Sequence, residues 1–437
     1  MTQTTRLFDR PVYLVDGART PFLKMRGVPG PFTASDLALQ CGRPLLLRQP
    51  FQASDLDQVI LGCVSSGPEE ANIARVVALR LGCGDQVPAW TVQRNCGSGM
   101  QALDSAARDI ASGRAELVLA GGTEAMSHHP LLLNLSMVAW LSGWNRARSL
   151  GQRARQLRRL RPAHLKPVIA LLKGLTDPVV GLSMGQTAEE LAWRFEIERE
   201  QMDTFALDSH QRLNQALKQG WMDEIEPMID HNGVLYQVDE GLRPDSDMAS
   251  LARLEPVFDR PVGRVTAGNS AQITDGAALL LLASEAAVEH HGLSPLGRLV
   301  AGHWSALDPR QMGLGPVHAM SGLLSGLGMS SGDIDFWEIN EAFAAQVIAC
   351  LRAWNAGDYL RQIGSPVPGC IDRNRLNVDG GAVSLGHPVG ASGARIVLHL
   401  LQVLKRKGAR RGIASLCIGG GQGGAMLIEA LEEKGHE

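Results

Sequence analysis

The chain has 437 residues, 45% of them hydrophobic and 20% charged, and 42 Lys and Arg against 45 Asp and Glu leave a formal net charge of -3. At roughly 150 residues per unit this is a chain of about three compact units with enough core to fold unstapled, and it lacks the basic surplus of a general nucleic-acid binder. Its longest uninterrupted apolar run, Ala277 to Ala283, is far short of the ~18 residues of a bilayer span, and the N-terminal stretch MTQTTRLFDR has no apolar core of a secretory signal.

Seven cysteines stand at 41, 63, 83, 96, 350, 370 and 417 with no CxxC pair. An odd, scattered set reads as free thiols in a reducing, cytoplasmic setting, with neither a disulfide framework nor a metal site. The 49 glycines gather in a few short clusters, where chemistry is to be sought.

In chain order, the apolar runs PVYLV, DQVILGCV and AELVLAGG alternate with amphipathic segments, one of them a helix from Gly97. This is the pattern of α/β layers. Residues 127–253 are different material, an insertion predicted to be mostly helical and to lie over the first half. Within it, Ala125 to Thr176 holds no acidic residue and nine basic ones. From Trp144 to Lys173 the arginines at 153, 155, 158, 159 and 161 alternate with leucines and other aliphatics, so a helix or helix pair there carries a basic and an apolar face. Three readings compete for this segment. It is a solvated surface packed on its own domain, a site for an anionic membrane surface or a partner protein, or an electrostatic guide for phosphates.

The first pattern returns late in the chain, with strands at Arg298–Gly302 and Asp335–Ile339, a helix at Gly393–Lys407 and a buried strand at Gly412–Cys417. Ser98-Gly99, a helix, a strand and Gly121-Gly122 are echoed by Ser392-Gly393, a helix, a strand and Gly419-Gly420. Asp55-Leu56-Asp57 likewise matches Asp333-Ile334-Asp335. The chain therefore reads as two homologous halves, residues 1–126 with 254–290 and residues 291–437, interrupted by 127–253.

Four residues in these repeats carry chemistry. Cys96 lies where a strand ends and a glycine-flanked turn opens a helix, a position that favours thiolate. A buried structural cysteine is the competing reading. His387, flanked by Gly386 and Pro388, is presented by an irregular loop, though a lone histidine is often a satisfied structural residue. If the halves meet about a local twofold axis, the two helix starts converge, and a Cys–His pair activates a thiol. Cys417 ends an apolar strand before a glycine run whose N–H groups suit an oxyanion. Asn340, after the strand FWEI, emerges at the same sheet edge or serves as a helix N-cap.

The stretches NCGSGMQALDSAARDIASGRAELVLAGGTEAMS, NEAFAAQ, NVDGGAVSLGHPVGASGAR and CIGGGQGGAMLIE, with DGARTPF and GRVTAGNSAQITDGAA, resemble the thiolases in family order from about Val12 to Glu429. The resemblance implies a thiolase fold, two α/β halves in a layered αβαβα arrangement with an inserted helical loop subdomain. It implies the 3-ketoacyl-CoA thiolase (acetyl-CoA acyltransferase) reaction of fatty acid β-oxidation. Cys96 is then the acyl-accepting nucleophile, His387 its activator, Cys417 the acid/base at the substrate α-carbon and Asn340 the holder of a water in one oxyanion hole. A second hole uses the backbone N–H groups of Cys96 and Gly419, and Met184 and Ser270 touch substrate. CoA and acyl-CoA are substrates, with no cofactor and no metal, and a homodimer or dimer of dimers is expected. Ser183 stands where members specialised for acetoacetyl-CoA often have His, and Ala271 where many carry a CoA-contacting hydroxyl. The basic insertion and the extra residues between Gln346 and Asn377 resemble the trifunctional-enzyme β-subunit type, which makes a hydratase/dehydrogenase subunit the partner expected for the 144–173 segment if it binds a protein. A biosynthetic acetoacetyl-CoA thiolase (acetyl-CoA acetyltransferase) and an inactive scaffold subunit are the alternatives, and retention of all four polar groups argues against the second.

Overall fold

The computed structural model describes residues 8–431. Its strands are β1 (Val12–Arg19), β2 (Leu23–Lys24), β3 (Gln58–Gly62), β4 (Ala89–Val92), β5 (Leu117–Ala125), β6 (Leu131–Leu132), β7 (Val168–Ile169), β8 (Met228–Ile229), β9 (Leu235–Tyr236), β10 (Thr274–Ala283), β11 (Gly297–Ala306), β12 (Phe336–Ile339), β13 (Arg411–Ile418) and β14 (Gln422–Ala430). Ten of them form one sheet in the order β12-β13-β14-β11-β1-β10-β5-β3-β4, with β2 added beside β10.

That order is the same path walked twice. In the first half β3 and β5 are parallel, β5 and β10 antiparallel, and β10 and β1 antiparallel. In the second, β12, β13, β14 and β11 repeat those three relations. The halves join where β1 and β11 run antiparallel, Val12 opposite Leu299. The match extends to single hydrogen bonds: Asp57 accepts from the N–H groups of Glu116 and Leu117 at 2.6 and 2.9 Å, and Asp335 accepts from those of Arg410 and Arg411 at 2.9 Å each. Both aspartates satisfy the exposed start of a neighbouring strand, which is why the acid recurs in the sequence.

Between the two halves of the sheet lie the helices Ser98–Ala111 and Ser392–Lys407. Their Met100, Leu103, Ile110, Ile396, Leu398 and Leu401 share one core with Leu14, Ile60 and Leu280 of the first half and Leu416, Met426 and Ile428 of the second. The Ser392–Lys407 helix is buried on nearly every side, including Arg395 and His399, as befits a helix in a middle layer. The outer faces have separate cores. Helices Ala34–Leu47 and Ile73–Arg80 cover the first half, and Gly315–Leu327 and Ala344–Asn355 the second. The five layers are helix, sheet, helix, sheet, helix.

The middle layer depends on glycine. A Cβ at Gly99 would lie 2.7 Å from the Gly390 carbonyl oxygen, and one at Gly393 would lie 2.6 Å from the Met100 nitrogen. The helix starts thus touch backbone to backbone. Gly121 and Gly122, expected to end a strand, sit inside β5 instead, because a Cβ on Gly122 would collide with the Gly390 carbonyl.

The insertion also departs from expectation. Its helices Met184–Arg194 and Arg199–Lys218 pack chiefly on the second half, with Leu191, Ile197, Met202 and Phe205 in one core with Leu314, Val347 and Trp354. The first half is reached by buried charge: Arg19 of β1 pairs with Glu224 at 3.3 Å and Asp239 at 2.7 Å. His399 of the central helix joins the same cluster, its Nδ1 2.9 Å from Glu224 and its Nε2 3.2 Å from Asp379. Burial opposes its charge, but the two carboxylates outweigh it and push its pKa up to about 10.

Overpacking the crossing should cost more than any loop change. Gly393→Ala is expected to lose at least about 1–3 kcal/mol in urea unfolding, whereas Gly151→Ala, in an exposed helix with open space around it, should gain up to about 1 kcal/mol.

Candidate active site

The site forms where the two helix starts meet. After β4 the chain turns through Asn95, whose φ of +44° is tolerated because a short amide side chain can settle in the left-handed region. The Ser98 hydroxyl clasps the turn, accepting from Arg94 N at 2.8 Å and donating to the Asn95 carbonyl at 2.7 Å. The Asn95 amide reaches across to the other half and donates to the Gly419 carbonyl at 2.8 Å. Cys96 is held at this junction, half-buried and free. The Gly419 N–H and its own N–H favour its thiolate, yet burial is the larger effect and raises its pKa. Burial thus works against the thiolate that a helix start favours.

His387 follows Gly386, whose φ of +107° and missing Cβ let the loop pass against Thr274. Its backbone N–H donates to Gln272 O at 3.0 Å. The ring Nδ1 lies 2.6 Å from Ser392 Oγ, and that hydroxyl spends its one proton on Pro388 O at 3.0 Å. Ser392 must then accept from Nδ1–H, which leaves a lone pair on Nε2. Burial, assisted by the nearby positive Arg395, lowers the His387 pKa to about 4. The imidazole is thus a neutral base whose Nε2 lone pair is turned to the Asn340 amide, which donates to it.

Asn340 Nδ2 lies 3.5 Å from that nitrogen. Its backbone N–H is fixed to Ser415 O at 2.9 Å, its side chain is fully buried, and its Oδ1 has no protein partner. The neighbouring helix begins only at Ala344 with Phe343 as its cap, so Asn340 is no N-cap. Cys417, one residue before the end of β13, is buried against Met312 and Ala342, with Met184 and Phe343 beside them. Burial, then the neighbouring Cys96 sulfur, raises its pKa well above the ordinary thiol value.

Met184 opens its helix under a Ser183–Gln186 capping box, and its sulfur comes 3.3 Å from where a Cβ on Gly419 would stand. Ser270 bridges to Phe343 through the backbone and gives its hydroxyl to Thr266 O at 2.7 Å, so in this structure that proton serves its own turn.

Three residues of the site escaped the sequence reading: Asn95, Ser392 and Glu124. The Glu124 carboxylate accepts from Val64 N at 2.9 Å and Ser65 N at 3.0 Å and also binds the Gly390 N–H, tying the loop after β3 to the His387 loop. Burial outweighs these bonds and lifts its pKa to about 7. An acid inside the small apolar strand AGGTEA was a visible signal, since a carboxylate is costly there without backbone partners. An open cleft lined by Phe8, Arg10, Arg298, Arg410 and Glu429 lies at the opposite ends of β11, β13 and β14 and holds none of these groups.

The geometry has close counterparts. The family model for the thiolase N-terminal domain matches residues 12–286, and that for the thiolase C-terminal domain matches residues 293–430. The chain is 38% identical over 425 residues to the mitochondrial 3-ketoacyl-CoA thiolase of Rattus norvegicus, covering 96% of this chain and 98% of that protein. It is 39% identical over 430 residues to the β-ketoadipyl-CoA thiolase of Pseudomonas aeruginosa, covering 97% and 100%. A crystal structure of human mitochondrial 3-ketoacyl-CoA thiolase in complex with CoA superimposes with a TM-score of 0.83 at 37% identity, covering 98% of this chain and all of that one.

Because Ser392 sets the tautomer, Ser392→Ala should let the proton settle on Nε2 and slow alkylation of Cys96 by a neutral haloacetamide at pH 7.5 by about tenfold or more, read by peptide mass spectrometry. The pH dependence follows from His387. Its folded pKa of about 4 lies below the ordinary imidazole value of 6.5, so the stability from burying it neutral is full above that ordinary value and falls as pH drops toward about 4. Denaturant midpoints taken across that window should decline, and less so in His387→Gln.

Proposed function

The chain belongs to the thiolase family, whose members are acyltransferases, and from that premise we propose that it cleaves 3-ketoacyl-CoA with CoA to acetyl-CoA and a shortened acyl-CoA in fatty acid β-oxidation. The observation that carries this reading is the difference between the two sulfurs. Cys96 sits among N–H donors at the junction to which the other half brings a neutral imidazole with its lone pair on Nε2, and Cys417 is kept protonated by burial.

In this reading His387 Nε2 takes the Cys96 proton as the sulfur attacks C3 of the 3-ketoacyl chain. The N–H groups of Cys96 and Gly419 then bind the C3 alkoxide oxygen, while the new Nε2–H and a water held by the Asn340 amide bind the thioester oxygen on which the enolate charge develops. The C2–C3 bond breaks, and Cys417 gives its proton to the enolate carbon of the departing acetyl-CoA. The Cys417 thiolate so formed, strongly basic because it is buried, takes the proton of incoming CoA. The CoA sulfur attacks the acyl-Cys96 carbonyl, whose oxygen is bound by the N–H groups of Cys96 and Gly419, and His387 returns its proton to the leaving Cys96. Both protons are back in place at the end of the cycle.

The degradative direction is favoured by apolar walls on the Cys96 side, where Met126, Leu171 and Val389 gather with Met25, Leu175 and Ile273. They suit an acyl chain longer than acetyl. All seven thiols stand free, which suits a reducing cytoplasm.

Cys96→Ser should lower thiolysis about a thousandfold or more, and mass spectrometry of wild type after incubation with acyl-CoA should find one adduct, on the Cys96 peptide. Cys417→Ala should retain that acylation while losing thiolysis of 3-ketoacyl-CoA. An adduct on Cys417 would reverse the roles. We also assign the chain to a homodimer or dimer of dimers. Sedimentation at micromolar concentration should show no dominant species at the chain mass of 46.9 kDa.

A further inference from the structure

β12 stands at one end of the sheet order, so one of its edges has no neighbouring strand. A short stretch of chain pairs that edge instead. Leu376 bridges to Trp337, and the Asn377 N–H donates to Trp337 O at 3.0 Å. At Asn377 the chain turns away with a φ of +47°, and the side chain takes over where the backbone leaves. Its Oδ1 accepts from Ile339 N at 2.9 Å, and its Nδ2 donates to Ile339 O at 2.9 Å. This is the two-bond exchange that a residue of an adjacent antiparallel strand would make. The second Nδ2 proton goes to Glu341 Oε1 at 2.8 Å, so both donors of the amide are used.

The clip acts on the residue between its two anchor points. The Ile339 carbonyl and the Asn340 N–H belong to one planar peptide unit. That carbonyl is bound by Asn377, and that N–H by Ser415 O of β13 at 2.9 Å, so the plane is pinned at both ends and cannot turn about the strand. The Asn340 side chain has no restraint as firm: its Nδ2 lies 3.5 Å from His387 Nε2, and its Oδ1 has no protein partner. Its aim is set from the backbone. We propose that Asn377 is a positioning residue whose side-chain clip on β12, continued through Glu341, aims the Asn340 amide at His387 and at the water it holds.

Glu341 carries the same restraint to the imidazole. Its Oε2 accepts from Ser209 Oγ at 2.7 Å and from Val383 N at 3.3 Å, and its carboxyl group leaves no room for a Cβ on Gly381. Val383 belongs to the short helix Ala382–Leu385 that delivers the chain to Gly386 and His387. One carboxylate thus binds both the clip on the Asn340 strand and the arm that carries His387, and this fixes the spacing between the two. Asn340, Glu341 and Asn377 are all fully buried, so water offers no substitute for a lost bond. The proposal rests on the thiolase reading above, in which the Asn340 water and His387 bind the thioester oxygen of the departing enolate. Acyl transfer to and from Cys96 uses the N–H groups of Cys96 and Gly419 instead. A misaimed Asn340 therefore harms cleavage of the C2–C3 bond and spares acylation of the thiol.

Asn377→Gly removes the amide and leaves the left-handed backbone unstrained. It should lower kcat for thiolysis of 3-ketooctanoyl-CoA about a hundredfold. The rate at which octanoyl-CoA acylates Cys96, read by rapid quench and peptide mass spectrometry, should stay within about threefold of wild type. Glu341→Gln keeps the shape but gives up acceptors, and should show the same split at about tenfold. Asp335→Ala frees the N–H groups of Arg410 and Arg411 at the far end of the same strand pair and is the control, expected to lower the melting temperature without separating the two rates. A split in Asn377→Gly, or in Glu341→Gln where the glycine variant does not fold, supports the clip. Equal loss of both rates, the same split in Asp335→Ala, or thiolysis within about threefold of wild type in both site variants would overturn it. Failure of wild type to cleave any 3-ketoacyl-CoA would instead overturn the reaction, and the positioning role with it.

Discussion

Two helices can start within backbone contact of each other only if neither carries a side chain there, and the molecule is organised around that contact. Gly99 and Gly393 let the Ser98–Ala111 and Ser392–Lys407 helices cross at their N-termini. Everything placed just before those termini is thereby drawn into one volume: Cys96 from one half, the His387 loop from the other. The glycine at 122 inside β5 serves the same end, because it lets the Gly390 carbonyl approach the strand. Small residues are thus concentrated where the halves meet, and bulky ones in the cores to either side.

A close junction also has to be held in register, and buried polar groups do that. Asn95 hooks the thiol turn to Gly419 of the other half, and Glu124 binds the loops on both sides of the site. Glu341 gathers Ser209, Asn377 and the Val383 N–H, joining the insertion to the His387 arm. Farther along the central helix, Arg19, Glu224, Asp239, His399 and Asp379 form a buried charge cluster that reaches solvent only at its Arg406 end. Removing one member leaves its partner charged and buried, which costs far more than the pair contributes.

The sequence was legible where a rule has one outcome. The repeated Asp-X-Asp turns and the paired Ser-Gly helix starts disclosed two halves because the same local hydrogen bonds recur at the same distance from a strand. Cys96, His387, Asn340 and Cys417 could be singled out because each stands beside glycine or at a strand end, where a side chain is exposed to a ligand. What was not legible depended on the third dimension. The thiolate expected at Cys96 follows from the helix start alone, and the burial that opposes it is a tertiary effect. Ser392 looks like an ordinary helix-start serine until the ring of His387, five residues earlier, folds over it. The amphipathic pattern of the insertion helices gave no hint that they would turn toward the second half, since an apolar stripe does not name the surface it covers.

The local twofold relation between the halves carries a consequence for how such a chain arises. Two separate copies of one half, meeting about the same axis, would have to present the same side chain twice, because a symmetric interface offers each partner an identical patch. A thiol opposite an imidazole breaks that symmetry. Nucleophile and base can differ only when the two halves have separate sequences, and carrying both in one chain ensures that every molecule holds one of each. The Asp57 and Asp335 turns keep the two halves alike, and the residues just before the two central helices are where the halves differ and the chemistry is placed.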